Sequence, residues 1–526
     1  MIPFYETPPH TPNVEKSKQG LNNRSAINNS EFVTNAISDL LETHCVLPCT
    51  EQPYIVNPLS VSVQKSGKRR LILDLREVNR FLWKLSVKYE DMRTAMLYLQ
   101  KGGFMFQFDL KSGYHHISIR TEHQQYLGFS WFYKGAFTFF KFTVLPFGLS
   151  TAPYVFTKVV RPLVQKWRSE GKQIVVFLDD GLCYAESFQK AREHSAQVKV
   201  DLVNAGFVPN VQKSTWDPVS ETEWLGLIID LKNGSLVLPN RRINSIKERI
   251  QELLITPKSA GSSTCVKVKD LASVAGCIVS SYLVVGSMSR VMTKAMHCVI
   301  ESRNSWNSKV VISEQANEEL LFWLHNIDNL KEIPIKLTPM CSTMVFSDAS
   351  KNGFGGYIVN VNDSISHGQW SENERKHSST WRELKAIDMV LASQINMFKN
   401  TRVKWFSDNQ AVTRIVCKGS MKSDLQSIVL NICRNCVRNG VFLELEWVPR
   451  SKNEKADFIS KLVDYDDWQT SDEMFSLLDH MWGPHTIDRF ASYYNSKLTR
   501  FNSRFWNPGA QATDAFTQDW AGENNC

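Results

Sequence analysis

Seven carboxylates define the chemistry this sequence can do. Three stand at Asp109, in "GGFMFQFDLKSGYHHISI", and at Asp179 and Asp180, in "IVVFLDDGLCYA". Each stretch is an apolar run rich in β-branched or aromatic residues that reaches acid and then glycine, the pattern of a strand entering a turn. Taken singly, each aspartate reads as a turn or cap residue, and Asp180-Gly181 reads as a short hairpin turn. Taken together, two strand-end acidic sites 70 residues apart, joined by segments able to lay their strands side by side, read differently. Converging carboxylates repel one another unless a dication lies between them. Magnesium suits oxygen ligands and a triphosphate substrate, with manganese as the alternative. Two such ions about 4 Å apart activate a hydroxyl nucleophile and stabilise a departing pyrophosphate.

A second set follows. "TMVFSDASKNGFGGYIV" reads as a strand ending in Asp348, a glycine-rich turn and another strand. "STWRELKAIDMVLA" is a helix with Glu383 in its first turns, "TRVKWFSDNQAVTRIV" a strand ending at Asp408, and "WVPRSKNEKADFISKL" sets Asp457 at a helix start. Each acid alone is a turn, surface or cap residue. In the order strand, helix, strand, helix they suggest a two-metal phosphodiester site.

The elements that hold these acids need several cores. At 526 residues, a prior of about 150 residues per domain gives three or four domains. Apolar content of 43% with 22% charged residues is that of a folded chain, and the net charge of +8 leans toward polyanionic partners. Eleven cysteines are scattered, and neither Cys45/Cys49 nor Cys433-x-x-Cys436 has the neighbours a zinc site needs, so they read as reduced structural thiols. The N-terminus lacks the continuous apolar core of a signal peptide. Residues 271–289, "LASVAGCIVSSYLVVGSMS", carry no charge, but their serines and glycines point to a buried helix rather than a membrane span. Along the chain, 1–35 is polar and expected to be poorly ordered. Residues 36–230 alternate strand and helix patterns, 231–338 are mostly helical, 339–464 form a second α/β module, and 465–526 are an aromatic, helix-poor tail.

Asp109 in "FDLKSGYHHI", "LPFGLSTAPYVF" and "FLDD", in that order and spacing, resemble the palm motifs of reverse transcriptases. The resemblance implies an α+β right-hand polymerase with fingers and palm over 36–230 and a helical thumb and connection over 231–338. It implies that Asp109, Asp179 and Asp180 hold two magnesium ions, Asp180 less directly than the others. "KSGKRRLILDLREVNRF" looks like the fingers segment, which puts Lys65 and Arg70 on the incoming triphosphate. Tyr114 stands where the family has an aromatic steric gate against a 2′-hydroxyl. Gly148 would let template or nucleotide approach the backbone closely, and Lys213 matches the family's general acid for pyrophosphate departure. "EWLGLIID", with Trp224, Leu225 and Gly226, resembles the hairpin that grips the primer. Phe177 and Phe147 depart from the retroviral tyrosine and glutamine, as in retrotransposon enzymes.

The second acid set resembles ribonuclease H, with Asp348, Glu383, Asp408 and Asp457 as metal ligands in an α/β ribonuclease H-like domain. Many relatives carry a loop histidine before the last aspartate. This chain has "PRSKNEKAD" there, with Asn453 as a speculative substitute. "HTIDRFASYYNSKLTRFNSRFWNPGAQATDAFTQDW" resembles the segment that follows ribonuclease H in DIRS-type retrotransposons, which makes 465–526 the start of a truncated downstream region of a longer polyprotein. The expected partners are an RNA template, a DNA primer, RNA–DNA hybrid and deoxynucleoside triphosphates, with other element-encoded proteins and no membrane. The expected location is intracellular, cytoplasmic or nuclear. The rival expectation is a degraded or co-opted copy that only binds nucleic acid.

Overall fold

The computed structural model describes residues 1–12, 22–64, 67–255, 264–335, 343–463 and 469–526. Two compact units form, Met1–Leu236 and Val237–Cys526. The expected limits at 338/339 and 464/465 lie outside the described residues.

In the first unit, β1 (Leu59–Val63) and β2 (Arg69–Leu73) form an antiparallel pair with Ser62 opposite Arg70. A four-stranded sheet follows, built from β3 (Phe104–Asp109), β4 (Gln173–Phe177), β5 (Asp180–Ala185) and β6 (Thr215–Val219) in the order β4-β5-β3-β6. The period of two along β3 sends Phe106 and Phe108 into one core with Phe156, Trp167, Ile174, Val198 and Leu202. Helix Ala152–Ser169 meets that core with Phe156, Val160, Val164 and Trp167, one apolar face at helical spacing. Each large side chain so buried contributes about 1.5–3 kcal/mol. Helix Phe188–Asn204 adds Val198 and Leu202, and Ser187 caps it by accepting the Lys190 N–H. β7 (Glu221–Trp224) and β8 (Leu227–Asp230) close the unit as a hairpin turning on Leu225 and Gly226, both at positive φ.

The expectation of poor order over 1–35 does not hold for its described residues. Helices Arg24–Ile27 and Ser30–Glu42 form there, and Ile2, Ala26, Val33 and Ile37 belong to the core. Val33 and Ile37 are spaced i, i+4, so a few well-placed apolar residues outweigh a polar average.

In the second unit, helices Asn240–Ile255, Val268–Val279, Lys294–Glu301 and Glu314–Asn326 precede a five-stranded sheet. The apolar stretch 271–289 is not one helix. It breaks after Val279 and again at Gly286, and Leu271, Val274 and Ile278 are buried. No described helix is long and apolar enough to cross a membrane. The sheet strands are β9 (Thr343–Ala349), β10 (Gly353–Ile358), β11 (Ser366–Gln369), β12 (Arg402–Ser407) and β13 (Phe442–Trp447), in the order β11-β10-β9-β12-β13. β9 is antiparallel to β10 and parallel to β12, which is parallel to β13. Helix Ser379–Ser393 buries Leu384, Ile387, Val390 and Leu391, and helix Glu454–Ser460 packs on β9 and β10.

The tail contains a helix, Asp472–Trp482, that its composition did not announce. Beyond it Trp506 bridges Ser366 of β11, Asn507 Nδ2 donates to the His367 carbonyl at 2.9 Å, and the Tyr493 hydroxyl donates to the Gln369 carbonyl at 2.9 Å.

Candidate active sites

Asp109 ends β3 directly opposite Asp180, the first residue of β5. Phe177 of β4 also pairs with Asp180, so the two-residue turn is Leu178 and Asp179, with Leu178 at φ 54°. This corrects the reading of Asp180-Gly181 as the turn. Gly181 lies within β5, and a Cβ there would stand 2.2 Å from the Phe108 ring. The strand needs glycine for that ring. Asp179 is therefore at the apex and Asp180 sits beside Asp109 on the sheet. Burial, then Asp179 and Asp109, push Asp180 up to about 6. Asp179 is also raised, chiefly by burial, while the charges of Lys213 and Arg70 oppose the shift.

Segment 207–214 clasps Asp109. Lys213 Nζ donates to Oδ2 and Asn210 Nδ2 to Oδ1, each at 3.0 Å. The Asp109 N–H donates to Ser214 Oγ at 3.1 Å, and its carbonyl accepts the Asn210 N–H at 2.7 Å. The hydrogen bond to Asp109 raises Lys213 above the ordinary lysine range. Asn210 and Ser214 were not foreseen, and the only signal for Asn210 is its place three residues before Lys213.

Tyr114 lies in the short helix Gly113–His116 with its ring 5.3 Å from Phe147 and 5.6 Å from Phe156. Burial and then Asp179 push its hydroxyl up to about 12. Arg70 is exposed on β2, and Lys65 lies outside the described residues. Gly148 corrects its expected role. At φ 113°, a Cβ there would stand 2.3 Å from the Leu73 carbonyl oxygen, so the close approach is to the end of β2. Asn79 braces that turn, donating to the Gly148 carbonyl and accepting the Ser150 N–H, both at 2.9 Å. Trp224 is buried at the β7–β8 turn beside Leu225 and Gly226.

In the second unit, Asp348, Glu383 and Asp408 each bring an oxygen within 4.8 Å of the others. Among the described residues no other three acid, histidine or cysteine groups meet so closely. β9, helix Ser379–Ser393 and the end of β12 supply one acid each. Burial, then Asp348 and Asp408, push Glu383 up to about 9. Burial leads in raising Asp348 to about 6 and in raising Asp408. Asp457 stands outside the triad in ion pairs with Arg450 Nη2, at 2.8 Å, and Lys461. Burial raises its carboxyl, but these partners together outweigh burial and hold it below the usual range. Asn453 is not a surface substitute for a loop histidine: it is 1% exposed, and its Nδ2 donates to the Ser347 carbonyl at 3.2 Å and Asp348 Oδ1 at 3.3 Å.

Hard oxygen donors raised chiefly by burial and further by one another's charge are the donor set that magnesium or manganese relieves, so the residues of the triad fit a divalent cation. Asp109, Asp179 and Asp180 are the same chemistry in a looser arrangement, with Lys213 on one oxygen.

Residues 63–229, which contain Asp109, Asp179 and Asp180, match the family described as reverse transcriptase (RNA-dependent DNA polymerase). Over these residues the chain is similar to that family. Over 401 residues the chain is 24% identical to the retrovirus-related Pol polyprotein from transposon gypsy of Drosophila melanogaster, covering 73% of this chain and 36% of that one. Over 425 residues it is 22% identical to a putative enzymatic polyprotein of Cassava vein mosaic virus, covering 78% and 60%. The chain thus spans less than two thirds of the length of these relatives. The foamy viral protease-reverse transcriptase in complex with dsDNA aligns at a TM-score of 0.50 and 16% identity, over 88% of this chain and 90% of that one. The same protein in complex with RNA/DNA hybrid aligns at 0.50 and 16%, over 90% and 60%. These likenesses are of fold: an α+β first unit of the right-hand polymerase kind, followed by helices and an α/β unit around a five-stranded sheet.

Proposed function

We propose that the chain is an RNA-directed DNA polymerase with hybrid-specific ribonuclease H activity that copies retrotransposon RNA into DNA. The observation that carries this reading is the register of Asp109 against Asp180 with Asp179 at the adjoining turn, in a chain whose second sheet gathers a separate acid triad. In the polymerase site Asp109 and Asp179 are the firmer ligands and Asp180 tunes the charge. Tyr114 walls the sugar, Arg70 and Lys65 meet the triphosphate, and Gly148 shapes the turn beside them. Lys213 delivers a proton to the departing pyrophosphate, and Trp224, Leu225 and Gly226 grip the primer. In the nuclease site Asp348, Glu383 and Asp408 form the centre and Asp457 joins them on exchanging its ion pairs. Divalent magnesium or manganese, two ions per site, would supply activation of the attacking oxygen and charge stabilisation. The fingers and palm are assigned to 36–230, thumb and connection to 231–338, and the nuclease to 339–464.

The partners follow from this reading: RNA template, DNA primer, RNA–DNA hybrid and deoxynucleotides. Extension of a DNA primer on an RNA template tests it. Asp179→Asn should abolish incorporation while duplex binding persists, and near wild-type incorporation would defeat the assignment. Duplex binding by a wild-type chain that neither extends nor cleaves would favour the degraded-copy reading instead. The finer assignment to DIRS-type elements rests on the tail sequence "HTIDRFASYYNSK" and its continuation. Genomic flanks encoding a tyrosine recombinase would support it, and a DDE integrase frame would sink it.

A further inference from the structure

We propose that Ser460 is a positioning residue of the nuclease site, fixing the Asp348 carboxylate and tying it to the helix that carries Asp457. The inference rests on reading that site as a metal-dependent ribonuclease. Ser460 is fully buried at the end of helix Glu454–Ser460. Its Oγ lies 2.9 Å from Asp348 Oδ2 and 2.8 Å from the Asp457 carbonyl oxygen. One hydroxyl proton serves both acceptors, and the charged carboxylate is the stronger of the two. The Ser460 carbonyl accepts a hydrogen bond from Ser350 Oγ at 2.5 Å, so the residue is held at its carbonyl as well as at its hydroxyl.

A glycine makes this contact reachable. Asp348 of β9 stands opposite Gly355 of β10. A Cβ at Gly355 would lie 2.4 Å from the Ser460 nitrogen and 2.8 Å from the Ile459 carbonyl carbon. The bare strand surface lets the helix rest on β10 and reach across to the acid on β9. Asn453 orients the other oxygen of Asp348. Both partners are neutral and each oxygen keeps a lone pair free, whereas Asp109 in the other site gives one oxygen to the Lys213 ammonium. Neutral partners set the angle of the carboxylate without cancelling the charge that draws a cation. Partners of this kind behind a metal ligand typically govern about 10–100-fold in metal affinity or activity.

The test compares full-length wild type, Ser460→Ala and Asp348→Asn, with Mn2+ binding followed by calorimetry and hybrid cleavage titrated against Mg2+. Asp348→Asn identifies the metal bound at the triad. Ser460→Ala should weaken that binding step and raise the half-saturating Mg2+ for cleavage about tenfold or more, with primer extension unchanged and the melting temperature lowered by no more than the loss of one buried hydrogen bond. Cleavage at high Mg2+ should return toward wild type. Unchanged metal affinity, or a cleavage loss that metal does not restore accompanied by a larger drop in melting temperature, overturns the proposal. A wild-type chain that binds Mn2+ at the triad but cleaves no hybrid overturns the ribonuclease reading instead, and the affinity comparison still decides Ser460.

Discussion

Glu383 is pushed up to about 9 by burial and by its two acidic neighbours, so at neutral pH its carboxyl holds a proton until a cation replaces it. Metal binding at pH 7 should therefore release close to one proton, measurable by calorimetry in buffers of different ionisation enthalpy. The sign is fixed by the direction of the shift. A protonated carboxyl is a poor ligand, so affinity rises with pH and levels off above about 9. Affinity flat between pH 6 and 9 would contradict the burial of Glu383 among acids. Tyr114 carries a second prediction. Its ring is fixed between Phe147 and Phe156, so Tyr114→Val should admit ribonucleotides about 10- to 100-fold better relative to deoxynucleotides, read in single-nucleotide extension. At this scale Asp109, Asp179, Asp348 and Asp408 stood out in the sequence because each follows an apolar run that ends as a strand. Asn210 and Ser460 were not, because they reach their carboxylates from 101 and 112 residues away, and nothing local in a sequence reports such a contact.

At the scale of elements, Gly181 is the clearest lesson. Asp-Gly is a strong hairpin signal, and it pointed to a turn in the right region but two residues too late. The pairing of Phe177 with Asp180 sets the turn on Leu178 and Asp179, and the Phe108 ring claims the space beside Gly181. Gly181→Ala should destabilise the first unit by about 1–3 kcal/mol through overpacking, seen as a lower denaturant midpoint with extension reduced in step. An unchanged midpoint would mean the ring moves freely aside. The β7–β8 hairpin was read from its resemblance to a family hairpin, and the mostly helical reading of 231–338 is met by helices Asn240–Ile255 and Glu314–Asn326. The stretch 271–289 was misread as one helix because apolar content says nothing of where backbone hydrogen bonds break, as they do at Gly286.

At the scale of the molecule, each compact unit has its own core and its own acids. Asp348→Asn should abolish hybrid cleavage while leaving primer extension within about twofold, because the two acid sets share no residue and no partner among the described residues, and independent sites behave additively. A parallel loss of both activities would show that the sites are energetically coupled. The sequence pointed to two acid-bearing modules but not to how the tail is used. Tyr493, Trp506 and Asn507 meet the backbone of β11 through single side chains and one bridge, with no strand pattern of their own. β11 is the outermost strand of its sheet, and an uncovered outer strand presents free amides and carbonyls to any extended peptide. A chain ending at residue 463 would thus offer an adhesive border, and its second unit should self-associate with rising concentration in sedimentation experiments, where the chain that keeps residues 469–526 stays dispersed. The tail is in that sense a guard against misplaced partners.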